Sequence, residues 1–148
     1  MTRTQRHSPG QALVEFSLAL IPFLLIVMGI VDLGRGIYVN SGVSQAAREI
    51  ARVTAVHPGT TLGGSAETLT VIATQKNLVP GLADPAATIT ITCVTISDVV
   101  IPGTGCVSTA AVPAFVKVRV TAPFSVLTPL MSMVAPSTLG ATAHIQVP

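Results

Sequence analysis

Glu15 is the residue in this chain whose placement asks most clearly for a chemical reason. It stands five residues after Gly10, within ALVEFSLALIPFLLIVMGIV, a stretch from Ala12 to Val31 with no other charge. A carboxylate at the centre of a membrane-length segment costs ~3 kcal/mol, which raises the question of why one is placed there. The other residues with reactive chemistry are fewer and less organised. Cys93 and Cys106 are the only cysteines, with twelve residues between them. Without companions they do not make a zinc site; outside the cytoplasm they would form a disulfide, whereas in a reducing compartment they would be a buried thiol pair.

His7, His57 and His144 lie in unrelated contexts, and none has the spacing of a helical metal pair. Each reads as a surface or loop residue. Gly59 to Ala66 (GTTLGGSA) has the glycines of a phosphate loop but lacks the Lys that reaches the terminal phosphates. Gly63-Gly64-Ser65-Ala66-Glu67 misses the second glycine of a nucleophile elbow. Asp32, Asp84 and Asp98 fall on turns or flanks, where turn geometry accounts for them. No enzyme, metal or cofactor is expected from these residues.

The elements that position Glu15 follow from composition and period. Of 148 residues, 49% are apolar and only 9% charged, far below the roughly 25% of soluble domains, so the chain contacts lipid or buries surface against other subunits. A net charge of +2 with scattered Lys and Arg argues against nucleic acid as a partner. The stretch from Ala12 to Val31 is long enough for ~30 Å of helix, the thickness of a bilayer core. Arg3 and Arg6 precede it, favouring an N-terminus inside and the remainder outside. A cleaved secretory signal is the alternative, but the run exceeds a usual signal core and no A-x-A-like site follows it.

Beyond Asp32, the residues Val39, Val43, Ala46, Ile50 and Val53 recur at four- and three-residue steps, one apolar stripe on a helix. Two readings fit: a separate amphipathic helix with a solvated face, or one rod of ~60 Å from Gln11 to Arg52, kinked at Pro22 and loosened at Gly34, Gly36 and Gly42. His57 to Ser65 is a turn-rich linker. Ser65 caps a second helix, with Glu67 in its first turn, Leu69, Ile72 and Ala73 inward, and an end near Leu78. Strands are expected at Ala87 to Ile96, Phe115 to Phe124 and Thr138 to Val147, with a short helix broken by Pro129 between Ser125 and Ala135. The sum is an α+β fold, a long helix packed on a small antiparallel sheet.

Gly10, four residues, then Glu15 and Phe16 ahead of an apolar helix resembles the prepilin signature of type IV pilins and pseudopilins. The longer string GQALVEFSLALIPFLLIVMGIVDLGR with SQAAREIAR, within Gly10 to Arg52, resembles the TadE-like family of the Tad (Flp) pilus system. Sister proteins of the TadF and TadG types share these N-terminal features. A looser likeness covers Phe115 to Val147. The resemblance implies a pilin-like minor pseudopilin: a non-enzymatic, membrane-inserted subunit whose partners are a prepilin peptidase, other pilin and pseudopilin subunits and the lipid bilayer. It implies cleavage between Gly10 and Gln11, with Glu15 and Phe16 as assembly contacts. The corresponding organisation is a leader at 1–10, a transmembrane helix at 11–31, its continuation at 32–56 and an extracytoplasmic α+β domain at 57–148, held in the cytoplasmic membrane. The alternative is a single-pass membrane protein whose outer domain binds a partner without entering a fibre.

Overall fold

The computed structural model describes residues 9–57, 59–128 and 135–148. Two helices precede three strands: α1 (Pro9–Val56), α2 (Ala66–Leu78), β1 (Thr88–Thr95), β2 (Ala114–Pro123) and β3 (Thr138–Gln146). This is the expected α+β order, with each strand within two residues of its expected bounds. The chain divides into two compact units. Met1–Gly34 and Val126–Ala135 make one, and Arg35–Ser125 with Pro136–Pro148 make the other.

In the second unit the strands form one antiparallel sheet with β2 in the centre. Alternation along β2 decides its two faces. Ala114, Val116, Val118, Val120 and Ala122 are fully buried, while Lys117 and Arg119 point the other way. The buried row belongs to one cluster with Val39, Val43, Ala46, Ala47, Ile50, Ala51 and Ala55 of α1. The stripe read from the sequence is therefore the core face of the helix. Full burial of each Val or Ile side chain contributes ~1.5–3 kcal/mol, which makes this seam the main source of the unit's stability.

α1 is assigned as helix without a break through Pro22, Gly34, Gly36 and Gly42. Gly42 packs rather than loosens: a Cβ there would come within 3.0 Å of a Val79 methyl. At Gly36 an added Cβ would rest against the Phe124 ring at 3.5 Å.

Ser65 caps α2 as expected, its hydroxyl accepting the Thr68 backbone N–H at 3.2 Å, and the helix stops at Leu78. Its inward face differs from the expected one. Leu69 and Ala73 are exposed, and Thr68, Val71 and Ile72 turn to the interior. The cause is Thr68, which the Ser65 cap and Thr54 of α1 meet from two sides. Ser65 donates to the Thr68 hydroxyl at 2.8 Å, and the buried Thr54 hydroxyl of α1, which donates to the Ile50 carbonyl at 2.7 Å, lies 3.4 Å from it. These contacts rotate Thr68 inward and carry Leu69 to the outside.

The helix expected between Ser125 and Ala135 does not begin where it was placed, since 125–128 are non-helical; residues 129–134 lie outside the described residues.

Candidate functional site: the apolar helix and its two carboxylates

The first unit is built around α1 up to Gly34. From Gly10 to Val31 almost every residue is exposed, and its most apolar window has a mean hydropathy of 2.5 with no part buried. Leu13, Phe16, Ile21, Phe23, Ile26 and Ile30 are each at least 60% exposed and point around the whole circumference. A helix that is apolar on all sides and exposed among the described residues is long and apolar enough to cross a membrane, and lipid is the solvent that suits such a surface. The polar side chains within it turn inward where they can: Ser17 donates back to the Leu13 carbonyl at 2.8 Å.

Gly10, Gln11, Glu15 and Phe16 all lie in the opening turns of α1, with Glu15 and Phe16 exposed. Glu15 is four residues from Gln11, hence one helical turn away and on the same face. Gly10 has open space where a side chain would be, with nothing within 4 Å of an added Cβ.

By its position in the sequence Asp32 reads as a flank residue, and the structure corrects this. It lies inside α1 and is only 2% exposed. Its two carboxylate oxygens accept the backbone N–H of Leu127 at 3.0 and 3.1 Å, and one of them also accepts that of Thr128 at 2.8 Å. All three residues belong to the first unit. A buried carboxylate is tolerable only with such donors, because removal from water penalises an unpaired charge by several kcal/mol. The signal in the sequence was one acid at the end of an apolar run; a separation of 95 positions between the partners hid what it binds.

Asp84 and Asp98 are turn residues as read. Asp84 accepts from Ala86 N–H at 2.8 Å, and Asp98 has a positive φ of 61°. Asp98 also pairs with Lys117 and lies 3.7 Å from the His144 imidazole. The Lys117 ammonium holds the Asp98 carboxyl below its ordinary range. Likewise Arg52, forked onto Glu49 at 2.7 and 3.0 Å, lowers the Glu49 carboxyl. Both pairs are on the surface and worth little on their own.

Cys93 and Cys106 form a disulfide with a Cα–Cα distance of 5.4 Å, both sulfurs buried. It fastens the loop after β1 to the strand, where Ile101 N–H also donates to the Cys93 carbonyl at 2.8 Å. Among the described residues no three His, Cys, Asp or Glu side chains converge as a metal set.

Residues 10–52 match the model of the TadE-like protein family, so the resemblance drawn from Gly10 to Arg52 holds over that segment. No curated protein and no solved structure matches the chain.

Proposed function

We propose that this chain, TadE-like over residues 10–52, is a minor pseudopilin: a non-catalytic subunit that takes part in assembling a Tad (Flp) pilus. One observation carries the reading. The family match begins at Gly10, the residue after which a prepilin peptidase would cut, and the matched segment opens a helix whose sides are bare and apolar. In this reading α1 is held in the cytoplasmic membrane with the leader inside and residues 57–148 outside. The Cys93–Cys106 disulfide suits the oxidising side.

The mechanism follows from what cleavage does at the helix end. Cutting after Gly10 gives Gln11 a free α-amine, cationic at neutral pH because such amines titrate near ~8. Glu15 lies only ~6 Å along the axis from that amine, close to the membrane edge where a charge is least costly. The carboxylate accepts the amine of a neighbouring subunit. At ~4 Å and an effective dielectric of about 20, the gross attraction is about 4 kcal/mol before desolvation is subtracted. Uncut chain has no amine at Gln11, so processing creates the partner that Glu15 needs.

Intact-mass analysis of membrane-extracted protein tests this. Loss of residues 1–10 is the expected result. A full-length chain favours the single-pass binding protein, and a product beginning beyond Val31 makes the apolar run a signal peptide.

A further inference from the structure

Among the described residues Asp32 is the one charged side chain that is buried, and what buries it is the chain around Leu127 and Thr128. From Gln11 to Asp32 the helix rises ~32 Å, about one bilayer core. If α1 spans the membrane, Asp32 therefore sits at the far interface from Glu15. Its neighbours on the helix, Ile30, Val31 and Leu33, are 65, 51 and 61% exposed. A bare carboxylate among them would draw water into a surface that otherwise suits lipid. Closing it with backbone N–H groups removes that defect, and the residue that supplies one of them, Leu127, leaves its own side chain 58% exposed.

We propose that Leu127 is a second lipid contact, set at the outer bilayer surface by the Asp32 carboxylate. The occupant of this surface is the membrane itself, because Leu127 is bonded to Asp32 at the end of the exposed apolar stretch of α1 and belongs to the same compact unit. The connection between β2 and β3 would thus dock its first residues on the bilayer, adding a point of attachment besides the span. This inference rests on the reading of α1 as a membrane span, and the experiment separates the two.

Cys93 and Cys106 are joined and no described cysteine is free, so a single added cysteine can be labelled without reductant. Leu127→Cys, Leu33→Cys and Ile96→Cys would each carry an environment-sensitive fluorophore in the full chain. The protein would be reconstituted in phosphatidylethanolamine–phosphatidylglycerol vesicles bearing a doxyl label high on the acyl chain. Leu33 reports the span at the same depth, and Ile96, 79% exposed, reports water. The expected result is lipid quenching at Leu127 comparable to that at Leu33, absent at Ile96, and lost from Leu127 when Asp32→Ala is added. Quenching at Leu33 with none at Leu127 overturns the proposal and leaves the span standing. No quenching at Leu33 overturns both. A Leu127 label shielded from aqueous iodide yet untouched by the lipid quencher identifies a protein cover instead, and equally overturns it. Quenching unchanged by Asp32→Ala removes Asp32 from the mechanism. Asp32→Asn, which keeps one acceptor oxygen, should fall between, and the wild-type comparison stands even if Asp32→Ala fails to insert.

Discussion

Gly10 and Asp98 show how differently single residues are specified. Nothing in the fold requires glycine at position 10: an added Cβ meets nothing within 4 Å, and glycine in a helix costs ~1 kcal/mol relative to alanine. Under the proposed processing, position 10 would instead be specified by a peptidase pocket with room only for hydrogen. Gly10→Leu should therefore insert normally but keep the leader, seen as full-length mass; a correctly trimmed product would remove Gly10 from the processing site. Asp98 is specified by its neighbours. Its carboxyl is depressed by Lys117, so its contribution is present above the unfolded carboxylate range and is lost as pH falls through the lower folded value, below about pH 4. Denaturation of detergent-solubilised protein at neutral and strongly acid pH should show Asp98→Asn losing less stability on acidification than wild type. Equal losses would mean that the Lys117 contact does not persist in solution.

At the scale of elements, stability should concentrate where α1 meets β2. Ile50 is fully buried in that cluster, and Ile50→Ala should cost about 2–5 kcal/mol in unfolding free energy. Ser65→Ala should cost about 1 kcal/mol through loss of the α2 cap, and a value near zero would show that solvent replaces it. Much of this was legible in the sequence. The four- and three-residue steps of Val39 to Val53, and the two-residue alternation of Val116, Val118 and Val120, each record a face buried against one neighbour. What was not legible depended on contacts between distant segments. The face of α2 is turned by Thr54 reaching Thr68, and Asp32 is buried by backbone 95 residues away. Backbone donors have no side-chain signature, so a carboxylate that binds them looks like any acid at a helix end.

For the molecule as a whole, the two carboxylates of the apolar helix differ in where their partners are: in the proposed function Glu15 would find its partner on a neighbouring subunit. Asp32 is satisfied within its own chain, whereas Glu15 is exposed on the apolar stretch of the helix. If Glu15 binds the α-amine of a processed neighbour, Glu15→Gln should remove most of the charge-assisted attraction while keeping size and some hydrogen bonding. Insertion and cleavage should be unchanged, because removing a charge makes the span easier to bury. Association with pilus subunits should fall, measured by co-purification from membranes after mild detergent extraction. The same loss should appear in Gly10→Leu with Glu15 intact, since uncut chain has no amine to offer, and the double variant should be no worse than either alone. Additive losses would place the two residues in separate steps. Undiminished association in Glu15→Gln would leave the carboxylate with no part in assembly, and its position near the membrane edge would then be mere tolerance.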